Sequence, residues 1–208
     1  MGGVVVVAVL GFVGVPYVYI HLIDKTQAPL SINAATGSTA ASPTASTASG
    51  DATTSESIDG TWTIASGSTA GYRVNEVLDG QSHVATGRTT NITGSLTVTG
   101  GSVVTGTFSA DMAAVTSDQS QRDGQFRGRI MDTADYPVAT FAITAPIAIG
   151  DTPADGTVVT KQVTGQLLLH GTSKAVTFTA SIKKTGSTVA VSGDIPIVFA
   201  DYGIPNPS

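Results

Sequence analysis

The sequence contains no cysteine among its 208 residues, and only 12% of them are charged. The lack of cysteine excludes disulfide bonds, thiolate nucleophiles, cysteine-ligated zinc and a lipid-modified cysteine anchor. Aromatic residues are only 6%, and no long Leu, Glu, Lys and Arg pattern of a helical bundle is present. The net charge of −5 argues against nucleic acid as a partner, because a positive footprint is missing. The abundant residues are Gly, Ser, Thr, Ala and Val, a composition typical of strands and turns.

The chain divides into three zones by composition. Residues 4–23 carry no formal charge, and their length matches one bilayer-spanning helix. No convincing cleavage site follows, so we expect an uncleaved transmembrane helix rather than a signal peptide or a soluble core helix. Residues 24–57 are rich in Ser, Thr and Ala and predict a disordered, flexible linker. Residues 58–208 have the size of one domain, which the linker is expected to hold away from the membrane surface.

Alternation of apolar and polar residues dominates this third zone. Phe178, Ala180 and Ile182, for example, alternate with Thr179 and Ser181, which is the pattern of a half-buried strand. Similar runs predict about eight strands, at roughly 61–65, 71–77, 91–99, 102–112, 138–145, 158–170, 174–184 and 187–199. Short strands in series indicate an antiparallel barrel or sandwich, between which the pattern does not decide. Small residues on the inward faces favour an interior with space.

One segment, residues 120–133, breaks the alternation. Phe126 and Ile130 are four positions apart there, which predicts a short helix between the strands. The same region holds a dense charge cluster: Arg122, Asp123, Arg127, Arg129, Asp132 and Asp135. The arginines offer a place for an anionic head group, because Arg pairs well with phosphate. An internally paired network that fixes the helix over the sheet is the favoured alternative.

Histidines of the third zone give little support for catalysis. His83 and His170 are far apart in sequence, and no nucleophile elbow, phosphate-binding loop or metal-ligand spacing accompanies them. The sequence therefore predicts no catalytic residues, no metal site and no cofactor. An exported hydrolase that uses one of these histidines remains a minor hypothesis.

Two motifs carry a resemblance to a known family. The segment QRDGQFRGRIMDTADYPVATF, residues 121–141, resembles the YceI-like pattern of Arg-Asp, a short helix, an Asp, and Tyr-Pro before a strand. The segment VTGQLLLHGTSKAVTF, residues 163–178, is similar to a hairpin of the same family. The resemblance covers about residues 59–208, and with the anchor and linker the chain most resembles actinobacterial members.

The sequence departs from the family pattern at two informative places. Gln125 and Phe126 stand where the family commonly has His-Leu. The sequence stops at DYGIPNPS, whereas family members normally continue with another strand. We therefore expect a fragment that lacks its C-terminal closing strand.

The resemblance implies an all-β fold, an antiparallel eight-stranded barrel of lipocalin type with one short helix. It also implies an apolar tunnel for an isoprenoid lipid of polyprenyl or quinone type, in a binding protein that is not an enzyme. Because members of the family are usually exported, the resemblance implies a domain on the extracytoplasmic side of the cell membrane. If the alternating faces line this tunnel, the ligand-binding residues are Tyr72, Val74, Phe108, Met112, Phe126, Ile130, Phe141, Ile143, Leu167, Leu169 and Phe178. A structural or adhesive cell-surface β-sandwich without a ligand is the alternative.

Overall fold

Eleven β-strands, all antiparallel and joined in one sheet, make up most of the described part of the chain. The computed structural model describes residues 3–13, 57–78 and 81–205. The strands are β1 (Gly3–Val13), β2 (Gly60–Ile64), β3 (Thr69–Leu78), β4 (Gln81–Thr89), β5 (Ile92–Thr99), β6 (Ser102–Asp111), β7 (Val138–Ile143), β8 (Ile147–Ala148), β9 (Val158–Leu169), β10 (Thr172–Thr185) and β11 (Thr188–Val198). Between β6 and β7, helix α1 (Ser120–Gln125) continues into a π-helical segment, Phe126–Ile130.

The sheet is curled, and strand β1 joins its two ends. Along one edge β1 pairs with β11, from Gly3 opposite Val198 to Phe12 opposite Val189. Along its other edge β1 pairs first with β3 and then, by two residues, with β2. From β2 the path continues through β5, β6, β7, β9 and β10 back to β11, while the β3–β4 hairpin branches from β1. The strands therefore surround an interior and do not stack as two separate sheets.

Hairpin turns fix the register of neighbouring strands. Gly100 and Gly101 link β5 to β6, both with positive φ, as a two-residue type I′ turn requires. His170 and Gly171 form the same kind of turn between β9 and β10, with φ values of 48° and 71°. Because side chains alternate along a strand, this fixed register sends one set of residues to the interior.

The all-β antiparallel class with one short helix, predicted from the sequence, is confirmed. All eight predicted strands are present, within a few residues of their predicted ends. The helix also lies where the spacing of Phe126 and Ile130 placed it. Strands β4 and β8 were not predicted: β4 carries two polar residues at its start and a glycine, and β8 has only two residues.

The transmembrane helix predicted over residues 4–23 is not supported. Gly3–Val13 is an extended strand, and residues 14–23, like the linker up to residue 56, lie outside the described residues. Four consecutive valines explain the difference, since β-branched side chains lose rotamer freedom in a helix and suit a strand. In the described part of the chain, no helix combines the length and apolar character needed to cross a membrane.

Candidate functional site

The curled sheet encloses a cavity of about 320 Å³. Strands contribute most of its wall, and α1, the π-helical segment and several loops contribute the rest. The lining side chains are almost all aliphatic or aromatic, and many of them belong to the main hydrophobic core. A cavity with this lining favours an apolar occupant.

All eleven residues that the alternation assigned to the interior lie on the wall of this cavity. They come from β3, β6, β7, β9, β10, the loop after β6 and the π-helical segment. The structure thus brings together residues that are more than 100 positions apart in sequence, such as Tyr72 and Phe178. Their contact with a ligand stays a prediction.

Other lining residues were missed by the prediction of the site. Examples are Ile58, Trp62, Leu96, Val163, Ile195 and Ile197. For Ile195 and Ile197 the signal was present, because both belong to an alternating run on β11. Ile58 precedes the first strand of the domain, so no alternation marks it. It is fixed by Trp62, whose indole N–H donates to the Ile58 carbonyl at 2.8 Å.

Four aromatic rings shape the wall in two pairs. Tyr72 of β3 stacks on Phe126 of the π-helical segment, with ring centroids 4.8 Å apart and planes 15° from parallel. Phe141 of β7 meets Phe178 of β10 edge to face, with centroids 5.5 Å apart. Such pairs are favourable beyond the area that they bury. The Tyr72–Phe126 stack attaches the helical segment to the sheet and so completes the wall on that side.

The π-helical geometry determines which residues of this segment face the cavity. The Met131 N–H donates to the Phe126 carbonyl at 2.8 Å, a spacing of five residues instead of four. Phe126, Ile130 and Met131 all line the cavity as a result. One wide turn therefore contributes three apolar side chains to the wall.

Basic groups on the cavity wall are paired with carboxylates. Arg122 contacts the Asp118 carboxylate at 2.5 Å, and Lys184 contacts that of Asp155 at 2.7 Å. Gln125, one residue before the π-helical segment, adds an exposed amide next to Arg122. The two charged side chains at the wall, Arg122 and Lys184, thus have their positive charge balanced.

The charge cluster of the helical segment is largely structural. Asp123 is buried, and its carboxylate accepts hydrogen bonds from the Ser117 N–H at 2.8 Å and the Ser117 hydroxyl at 2.6 Å. Arg127 donates to the Val115 carbonyl at 3.4 Å. These contacts hold α1 against the loop that follows β6. Of the six residues of the charge cluster, Arg122 alone lines the cavity, whereas Asp123, Arg127, Arg129, Asp132 and Asp135 do not.

A second polar contact fastens the loop before β9. The Asp155 carboxylate accepts hydrogen bonds from the Lys184 ammonium and from the Gly186 N–H, each at 2.7 Å. These two hydrogen bonds lower the pKa of Asp155 below its usual value. Pro153 of the same loop lines the cavity, so the contact fixes part of the wall.

The contacts of His170 are not those of a catalytic histidine. His170 Nδ1 donates to the Tyr202 carbonyl at 3.1 Å, and its ring packs on Tyr136 at 4.5 Å between centroids. The side chain of His83 lies outside the described residues. Within residues 57–74 and 84–205, no group of three or more His, Asp and Glu is arranged to hold a metal ion.

Comparison with known proteins identifies the family. The sequence profile of the YceI-like domain matches residues 62–207, and the chain therefore belongs to the YceI-like domain family. A search of curated proteins finds no match. One similar solved structure is a polyisoprenoid-binding domain from Saccharophagus degradans that is implicated in plant cell wall breakdown. It is 16% identical in sequence, and the TM-score is 0.49. The match covers 66% of this chain and 97% of the Saccharophagus chain. BcnA from Burkholderia cenocepacia is 22% identical with a TM-score of 0.49, over 58% of this chain and 74% of that chain.

Proposed function

We propose that this protein binds an isoprenoid lipid, whose apolar tail occupies the cavity inside the curled sheet. The observation that carries the proposal is the cavity of about 320 Å³ with its almost wholly apolar lining. Pockets for small ligands span about 300–1,000 Å³, so this one suits a short tail or one segment of a longer tail. Each buried CH₂ contributes about 0.8 kcal/mol, so a C5 isoprene unit contributes about 4 kcal/mol.

Membership of the YceI-like family supports this choice of lipid class. The motifs at residues 121–141 and 163–178 relate the chain to proteins expected to hold polyprenyl or quinone tails. In this proposal the curled sheet acts as a lipocalin-like barrel, and the protein carries its ligand without chemical change.

The charges at the wall favour a neutral head group. An anionic head would have to compete with Asp118 for Arg122 or with Asp155 for Lys184. A prenol hydroxyl or a quinone carbonyl needs one hydrogen bond and no new counter-ion, and Gln125 offers an amide for it. We therefore propose a polyprenol or a quinone rather than a prenyl phosphate.

Native mass spectrometry of the full-length chain, followed by organic extraction, tests the binding proposal. We expect an adduct that extracts as a prenol or quinone, and Kd for farnesol at least about tenfold lower than for farnesyl phosphate. Ala180→Phe fills the cavity from β10 and should abolish the adduct, whereas Ala175→Phe on the exposed face of β10 should not. A mass that stays free of ligand after exposure to farnesol, geranylgeraniol and a short-chain quinone overturns the proposal.

We also propose that the domain works on the extracytoplasmic side of the cell membrane, held there by residues 4–23 and the linker at 24–57. The uncharged length of the first segment and the composition of the second support this. The proposal requires residues 4–13 to leave their strand position when they insert into the bilayer. Fractionation of cells that express the full chain tests it: a membrane pool resistant to high salt is expected, and a purely soluble pool overturns it.

A further inference from the structure

We infer that glycines beneath the aromatic rings determine how much room the cavity has. This inference rests on the proposed lipid binding for its consequence, but its structural basis is independent of any ligand. It concerns the rings of Tyr72, Phe108, Phe141 and Phe178, which all line the cavity.

Each ring occupies the place where a neighbouring strand would carry a side chain. A Cβ built on Gly193 would lie 2.6 Å from Cε2 of Phe178, and one built on Gly87 would lie 2.4 Å from Cε1 of Tyr72. Gly165 and Gly94 have the same relation to Phe141 and Phe108, at 2.3 Å and 2.7 Å. These distances describe one arrangement: an aromatic ring that covers a glycine of the adjacent strand, known as aromatic rescue of glycine.

Strand register produces this arrangement. Tyr72 is directly opposite Gly87 in the β3–β4 pair, and Phe108 is directly opposite Gly94 in the β5–β6 pair. Phe178 lies one diagonal step from Gly193, because Gly193 is opposite Ala180 in the β10–β11 pair. A ring that packs directly against a glycine backbone takes up less of the cavity than a ring that packs against a neighbouring side chain.

The Phe178–Gly193 pair shows the consequence most clearly. An alanine at residue 193 places a methyl group 2.6 Å from the ring, whereas ordinary contacts begin at 3.4 Å, so the ring must move by at least about 0.8 Å. The β10–β11 ladder holds the backbone behind it, and Phe141 blocks one side. The ring therefore moves into the cavity and shortens the space for a tail.

Tail-length selectivity of the full chain tests this inference. We expect Gly193→Ala to weaken binding of geranylgeraniol by about tenfold or more while farnesol or geraniol is affected less. Gly124→Ala is the matched control, since a Cβ there meets nothing within 4 Å. Replacing the displaced ring as well, in Gly193→Ala with Phe178→Leu, should restore binding of the longer tail.

Xenon uptake gives a readout that needs no lipid, because xenon enters apolar cavities whatever their natural ligand. Reduced xenon binding in Gly193→Ala, with no prenol binding even in the unchanged protein, supports this inference and refutes the proposed function. Equal xenon and prenol binding in Gly193→Ala and the unchanged protein overturns the inference. If Gly193→Ala lacks a cooperative unfolding transition, Gly87→Ala tests the same relation at Tyr72 with the same two outcomes.

Discussion

Replacing Asp123 should loosen the attachment of α1 to the sheet and destabilise the whole domain. Its side chain is 8% exposed and accepts two hydrogen bonds from Ser117, both under 3 Å. Hydrogen bonds to charged groups contribute about 1.5–3 kcal/mol, and an unpaired buried N–H costs about 1–3 kcal/mol. In Asp123→Ala the Ser117 hydroxyl keeps the Gln119 carbonyl as acceptor, but the Ser117 N–H loses its partner.

We therefore expect Asp123→Ala to lower the free energy of unfolding by about 2–3 kcal/mol. For a domain of this size the Tm then falls by roughly 4–12 °C. Asp123→Asn keeps an oxygen acceptor at the same place and should lose only about 1 kcal/mol. Exposed Asp135, in the same cluster, provides the control, and Asp135→Ala should change stability by less than about 0.5 kcal/mol.

Urea unfolding followed by the fluorescence of Trp62 measures these differences. Trp62 is the single tryptophan of the chain, and it is buried against the core. Amide hydrogen exchange at Ser117 gives a local reading, since its protection should fall in Asp123→Ala. Equal stability of Asp123→Ala and the unchanged protein would refute the reasoning, and a loss of ligand binding without loss of stability would restore the head-group hypothesis for this cluster.

Two further predictions concern the cavity wall. Leu167→Ala removes a buried lining side chain and should lower the free energy of unfolding by about 2–5 kcal/mol. Leu168→Ala, on the outer face of β9, should lower it by well under half of that amount. Chemical denaturation measures both variants, and equal losses would contradict the assigned faces. The lowered pKa of Asp155 means that its stabilising contribution is present above the ordinary carboxyl value near 3.9 and is lost as pH falls through the lower folded value. The protection of the Gly186 amide, taken relative to its intrinsic exchange rate at each pH, should therefore fall below about pH 4, and Asp155→Asn should remove this fall. The same loss of protection in the variant would contradict the prediction.

Alternation alone located the strands and the interior faces, because a period of two fixes which residues point inward. Residues such as Phe141, Leu167 and Phe178 could be assigned to the cavity in this way without any knowledge of the topology. The cavity itself could not be predicted from alternation, since a filled sandwich gives the same pattern. Only the position of the rings over Gly87 and Gly193 explains how space remains between them.

The charge cluster and the first strand show, for physical reasons, what sequence reasoning could not decide. Charge density identified Arg122 and Asp123 as special, but the roles depend on which neighbours the loop after β6 presents. The apolar run over residues 4–23 has the length of a membrane helix, and length outweighed the strand preference of its valines. A continuous apolar run does not separate these cases, because a strand inside a curled sheet is also apolar throughout.

The pairing of β1 with β11 also bears on the order in which the protein folds. The paired residues are far apart in sequence: Phe12 and Val189 are separated by 177 positions, and Gly3 and Val198 by 195. The hairpins β5–β6, β9–β10 and β10–β11 instead join residues that are close in sequence, so their loop-closure entropy is far smaller. Long-range pairings of this kind slow folding, so we expect the hairpins to form first and β1 to dock last. Until β1 docks, the wall between β11 and β3 is open.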